Sequence, residues 1–350
     1  MIRKAERSEI HSTNTVVEVG AVRFGHDPFP VIAGPCVIED EKQINETAEV
    51  VAAAGASMLR AGTSVAGASP YEFRGLGSEG LKMLRAAGDA VGLPTVTQVI
   101  EPAGIPEATE LSDMIEIGAG NMQNFELLRE VGQQERPVLL KRGPSATVDE
   151  WLWAAEYVLA EGNNNVVLCE RGIRTFTDDD TLDISSVPIV KERTHLPVIV
   201  LPSHSAGSRA RVVPLALAAQ GVGADGLAVE VHPTPDKALV NAAGQLAAPE
   251  FAQLMEALGI NRMRKAIDLV DRDIVRALSR RRDLALQIGR VKAERGMSVR
   301  SPARESQLME IIREEAVIQG LDPEQVEAVF QVILAGSRAE QRRLRVGGEL

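Results

Sequence analysis

The stretch PVLLKRGPSATVDEWLWAAEYVLAEGNNNVVLCERG, Pro137–Gly172, carries the pattern that decides the fold. It opens and closes on short apolar runs, each followed by charged residues and a glycine. Runs this short and continuous read as strands buried on both faces, the habit of parallel sheets. Between them, DEWLWAAEYVLAEG has helical periodicity, so the unit is strand, helix, strand. The alternation extends in both directions. Upstream lie VIAGPC (31–36), SMLRAG (57–62), TVTQVI (95–100) and DMIEIG (113–118); downstream lie PVIVLPSH (197–204) and GLAVEVH (226–232). Eight such units in about 220 residues predict a (β/α)8 TIM barrel. Ahead of them TVVEVGAVRFG (15–25) alternates about a central glycine and reads as a hairpin.

Composition sets limits on function. Two cysteines, Cys36 and Cys169, make no disulfide framework, which points to a reducing cytoplasm. No apolar run reaches the roughly 18 residues of a membrane span, and the polar start MIRKAERSEIHSTN does not read as a leader. The net charge is −11, unevenly spread. Residues 260–350 hold 18 Lys and Arg against 14 Asp and Glu, a balance of +4, which leaves −15 for the rest. An acidic first part argues against nucleic acid. The mildly basic second part suits a small anion or a solvated helical surface.

Barrel chemistry gathers at the C-terminal strand ends. Those ends carry Cys36, Arg60, Gln98, Lys141, Arg142, Glu170, Arg171, His204, Glu230 and His232. Cys, His and Glu on different strands can hold a divalent metal. Arg60, Lys141 and Arg171 can hold a carboxylate and a phosphate. The competing reading makes Cys36 a small buried hydrophobe and the charges a structural network.

Several of these segments carry a resemblance. IAGPC, RGLGSEGLK, GNMQNFELL, VLLKRGPSAT, LCERGIRTF, TLDIS, PSHS and GADGLAVEVHP resemble the type I-beta 3-deoxy-D-arabino-heptulosonate 7-phosphate (DAHP) synthases over residues 15–258. That family is a metal-dependent (β/α)8 barrel that condenses phosphoenolpyruvate with erythrose 4-phosphate, the first step of the shikimate pathway. The resemblance implies that Cys36, His204 and Glu230 bind a divalent metal such as Mn²⁺. It also implies that Arg60, Lys141 and Arg171 bind phosphoenolpyruvate.

The chain departs from that pattern at the strand-end face. Val65-Ala66-Gly67-Ala68 stands where the family has Lys-Pro-Arg-Thr, the grip on the sugar phosphate. Gly120 replaces an arginine that contacts the phosphate of phosphoenolpyruvate. Asn241 takes the place of the aspartate that is the fourth metal ligand. Leu201 replaces the aspartate before Pro-Ser-His, Gln98 a glutamate, and Asp178-Asp179-Asp180 a Thr-Arg-Asn. From these replacements alone the barrel is expected to have lost catalysis and to serve as scaffold or regulatory module. The alternative is a synthase that works through substituted contacts.

The second part is helical throughout. Ile260, Met263, Ile267, Val270, Ile274, Leu278, Leu284, Ile288 and Val291 form a stripe at helical spacing. A turn at ERGMSVRSPARE leads to a second helix from about 303 to 318. Asp322-Pro323 starts a third, ending near Arg345. Arg281 and Lys292 are eleven residues apart, three turns plus about 20°, so they share a face. Arg264 lies about 100° round from it. Read alone, SRRRD is a solvated charge run.

NRMRKAIDLVDRDIVRALSRRRDLALQIGRVKAERGMSV, PARESQLMEII and GSRAEQ resemble the helical (AroQ-class) chorismate mutases over residues 260–343. Those are intertwined dimers that convert chorismate to prephenate with no cofactor. The resemblance implies that Arg281 and the partner copy's Arg264 hold the two carboxylates. Lys292 and Gln341 bond the ether oxygen, and Glu305 meets the ring hydroxyl, with Arg304 and Ser337 beside it. Ser301 stands where many members have aspartate, which leaves 4-amino-4-deoxychorismate open as a substrate. The expectation is a barrel over residues 1–258 and a mutase over 259–350. The chain should form a homodimer through the C-terminal helices, with room for further association through the barrel, and bind neither nucleic acid nor membrane.

Overall fold

The computed structural model describes residues 4–8, 13–26, 28–64, 71, 73–177 and 179–345, and the backbone alone of 260–265, 344 and 345. The chain forms two compact units, Met1–Ile260 and Asn261–Leu350.

The first unit opens with a hairpin of β1 (Val17–Val19) and β2 (Val22–Phe24), paired Val17 to Phe24 and Val19 to Val22. Gly20, at φ 59°, supplies the left-handed residue of its two-residue turn. Eight parallel strands follow: β3 (Val31–Gly34), β4 (Met58–Ala61), β5 (Thr95–Val99), β6 (Met114–Ile117), β7 (Val138–Lys141), β8 (Val166–Glu170), β9 (Val198–Val200) and β10 (Leu227–Glu230). They close into a barrel in which β10 pairs with β3. Helices α1 (Glu41–Ala53), α2 (Gly77–Val91), α3 (Ile105–Leu111), α4 (Phe125–Gly132), α5 (Val148–Ala160), α6 (Ser186–Arg193) and α7 (Arg209–Gly221) alternate with the strands. Caps fix several helix starts: Asp40 and Asn124 accept from Gln43 and Leu127 backbone N–H groups, and Thr147 with Glu150 forms a capping box on α5.

The strands are continuously apolar because each faces two cores. Outward residues such as Leu59, Ile115, Leu140, Leu168 and Val229 join the helices' apolar faces in one cluster. Trp151 of α5 is fully buried there, its Nε1 donating to the Leu140 carbonyl at 3.2 Å. Inward residues Ile32, Met58, Val96, Met114, Leu139, Val167, Ile199 and Ala228 form a second cluster with Val17, Val19 and Phe24 of the hairpin. The hairpin therefore packs against the N-terminal layer of the barrel and leaves the opposite end for polar residues.

The second unit is built from α8 (Ala248–Glu294), α9 (Pro302–Ile318) and α10 (Pro323–Arg345), of which α8 begins in the first unit. The sequence reading starts this helix at Ile260; in the structure PEFAQLMEALG is already part of it. No proline or cap interrupts the run, and Gly259 costs a helix interior only about 1 kcal/mol. Gly296 and Gly320, at φ 66° and 68°, end α8 and α9 as expected. Met297 N–H reaches the Lys292 carbonyl and Leu321 N–H the Ala316 carbonyl, the Schellman arrangement in both cases. Among the described residues of this unit, Ala316 is the sole buried apolar side chain. Ile267, Val270, Ile274, Leu284 and Ile288 are each more than half exposed.

Candidate active sites

Side chains two apart on a strand share a face. Two residues beyond the inward apolar layer the strands therefore carry a second inward layer: Gly34, Arg60, Gln98, Glu116, Lys141, Cys169, Leu201 and Glu230. Gly34 is required here: at φ 153° a Cβ would lie 2.0 Å from the Arg60 carbonyl oxygen. Arg60 donates to both oxygens of Glu116, at 2.7 and 3.2 Å, and to Glu230 at 3.3 Å. Lys141 Nζ lies 2.7 Å from the same Glu116 carboxylate. Burial alone would raise the Glu116 carboxyl; the charges of Arg60 and Lys141 outweigh it and hold the group at about 2.

Beside this network Cys36, His204 and Glu230 bring a thiol sulfur, an imidazole nitrogen and a carboxylate oxygen within 4.8 Å of one another. That donor set fits a divalent ion of intermediate softness. Burial and the adjacent Glu230 push the Cys36 thiol far up, and burial lowers His204, so without an ion the trio carries the charge of Glu230 alone. Asn241 donates to Glu230 at 2.6 Å, which places its amide beside the trio. Arg171 pairs with Asp180 at 2.5 Å and donates to His204 Nδ1 at 3.3 Å.

Three strand-end groups singled out in the sequence serve the fold instead. Arg142 ties Glu170 to Asp183, each at 2.9 Å, and caps the Ala146 carbonyl. Glu170 also accepts from the Gly172 N–H at 2.6 Å. His232 Nδ1 accepts from the Thr234 N–H.

In the helical unit Arg281 donates to Ser337 Oγ at 2.8 Å, and Gln341 donates to the Ala285 carbonyl at 2.6 Å. Gly289 permits this approach of α10 to α8, since a Cβ there would meet Gln341 Cγ at 2.8 Å. Lys292 Nζ donates to the Val299 carbonyl at 2.8 Å. Glu305 accepts from Arg338 at 3.0 Å, while Arg304, exposed, bonds Gln307. The helix bearing Arg264 is described; its side chain lies outside the described residues.

Residues 9–263 match the DAHP synthetase I family. The chain belongs to that family. Residues 263–342 match the chorismate mutase type II family, so the chain is a fusion of the two domains. A phospho-2-dehydro-3-deoxyheptonate aldolase of Thermotoga maritima is 45% identical over 252 residues, 71% of this chain and 75% of that one. A 2-dehydro-3-deoxyphosphooctonate aldolase of Geobacter sulfurreducens is 30% identical over 273 residues, covering 73% of this chain and 98% of its own. A crystal structure of the Thermotoga maritima DAHP synthase superposes with a TM-score of 0.70 at 43% identity, covering 77% of each chain.

Against the DAHP synthetase pattern, the structure gathers Cys36, His204, Glu230, Arg60, Lys141 and Arg171, with Asn241, at one end of the barrel. Val65–Ala68 and Asp178 lie outside the described residues. Gly120 is described, and a Cβ there would meet nothing within 4 Å, so the arginine's place is open space. Arg209 does not fill the gap, being held by Asp236, Glu250 and the Gln245 carbonyl. Glu116 was not singled out in the sequence. Its signal was there: an acid in an apolar strand, at the same inward parity as Arg60 and Lys141. No helix among the described residues is long and apolar enough to cross a membrane.

Proposed function

We propose that the chain is a bifunctional enzyme. The helical unit rearranges chorismate to prephenate, and the barrel condenses phosphoenolpyruvate with erythrose 4-phosphate on a divalent metal. The joining of Arg281, Ser337 and Gln341 at the α8–α10 seam, with Lys292 on the same helix face, supports the mutase. The rearrangement is unimolecular, so it needs a held conformer and donors at the ether oxygen rather than a nucleophile. The exposed apolar stripe of α8 supports a homodimer, since one copy leaves that face without cover.

For the barrel, the Cys36–His204–Glu230 trio and the 45% identity to an aldolase support a working synthase over the scaffold expected from the replacements alone. A bound metal would polarise the acceptor carbonyl. Arg60, Lys141 and Arg171 would hold phosphoenolpyruvate beside it. The replacements then act on affinity. A phosphate loses roughly 1.5–3 kcal/mol with each charge-assisted donor. Two lost cations at Val65 and Gly67 raise the KM for erythrose 4-phosphate by about 10²–10⁴-fold.

The test is DAHP formation by the purified chain with Mn²⁺ across a wide range of erythrose 4-phosphate. The expected result is turnover that does not saturate at ordinary concentrations, with KM lowered by the double change Val65→Lys and Gly67→Arg. No product at any concentration would make the barrel a scaffold or regulatory module, the reading that Gly120 and Asn241 favour.

A further inference from the structure

Among the described residues, three cations stand at the barrel mouth within reach of the trio, and three carboxylates meet them. Glu116 takes Arg60 and Lys141, Glu230 takes Arg60, and Asp180 takes Arg171. The other strand-end cation, Arg142, is held by Glu170 and Asp183. The three cations that should attract a phosphorylated carboxylate are therefore each met by a carboxylate before any ligand arrives. An incoming anion must share each cation with a carboxylate already bound at 2.5–2.7 Å.

We infer that Glu116 and Asp180 are specificity-determining residues of the barrel: internal anions that compete with the ligand's carboxylate and phosphate and weaken its hold on polyanions. This rests on the reading that phosphoenolpyruvate binds at Arg60, Lys141 and Arg171. Like charges held together in a partly buried site repel strongly, and the effect is written in affinity. Glu116 is fixed in the strand layer and acts whether or not loops move. Asp180 lies on the segment that replaces the family's Thr-Arg-Asn, and its carboxylate is the one held at Arg171. Arg171 retains one unused donor, since its buried Nε finds no acceptor. The side chain is nonetheless 16% exposed, so an anion can still reach this guanidinium, but against the charge of Asp180.

The experiment titrates phosphoenolpyruvate and inorganic phosphate into the full chain by calorimetry, with and without Mn²⁺. Asp180→Asn is expected to tighten both anions by about tenfold or more, and Asp180→Glu to leave them as weak as in the parent. Glu116→Gln is expected to tighten phosphoenolpyruvate similarly. Because it strips a buried partner from two cations, it is read only if its melting temperature shows a folded barrel. Asp180→Asn, in a partly exposed loop, decides the matter alone. Parental affinity for both anions in folded Asp180→Asn overturns the inference. DAHP formation is read separately. A parent that makes no DAHP while Asp180→Asn gains phosphate affinity sinks the synthase reading and leaves this one standing. A parent that makes DAHP with affinities unmoved by Asp180→Asn does the reverse.

Discussion

Lys292→Ala is expected to lower the turnover of chorismate by about 10²–10³-fold, with or without chelator present. The reaction breaks a carbon–oxygen bond, and negative charge grows on the ether oxygen only as the bond stretches. A donor aimed at that oxygen therefore acts on the transition state more than on bound substrate. Lys292 is the ammonium on the face of α8 that also carries Arg281, and its Nζ reaches the Val299 carbonyl at the turn between α8 and α9. That bond holds the side chain near the helix end without satisfying its charge. The loss should fall mainly on kcat, since the hold on a carboxylate proposed for Arg281 would remain. Stopped assays of prephenate, with circular dichroism to confirm the helical unit, decide it. Turnover like that of the parent would place the site elsewhere.

The barrel was legible because its strands obey two simple rules at once. Each is a short apolar run bounded by glycine or proline, and each ends in charge. Those rules located all eight strands and the end at which the chemistry gathers. They did not show which charges meet. Glu116 sits in DMIEIG, where the surrounding apolar residues dominate the reading, and only the closed barrel brings it against Lys141 from the next strand. Arg142 and Glu170 fail in the opposite sense. Their positions look catalytic, yet the loops after β7 and β8 turn them toward Asp183 and the Gly172 N–H. Sequence parity tells inward from outward; it does not tell which inward pair forms.

The helical unit was legible for a different reason. Proline and glycine punctuate it at Gly296, Pro302, Gly320 and Pro323, and the structure ends and starts helices at each. The exception is the start of α8, where nothing in PEFAQLMEALG interrupts a helix and the domain change leaves no mark on the backbone. The pairing of Arg281 with Ser337 depends on α10 folding back along α8. Spacing put Ser337 and Gln341 on one face but could not choose the helix they meet.

Neither Arg264→Ala nor Arg281→Ala chains should turn over chorismate appreciably, and mixing the two should restore about a quarter of parental activity. Helical spacing puts Arg264 about 100° round α8 from Arg281 and Lys292, so one copy does not present all three to one pocket. The apolar face of α8 is exposed over Ile267, Val270, Ile274, Leu284 and Ile288 in a single copy, and pairing two copies along it would bury that face. In a two-fold dimer each pocket would take Arg281 from one chain and Arg264 from the other. A mixed dimer then has one pocket with both arginines and one with neither. Random exchange makes half the dimers mixed, and each has one working pocket of two, hence about a quarter. Exchange must be demonstrated, by mass-tagged subunits or by co-expression with two affinity tags. Demonstrated mixed dimers that stay as inactive as either parent would show that each pocket is built from one chain, and would leave the dimer only the covering of that apolar face as its role.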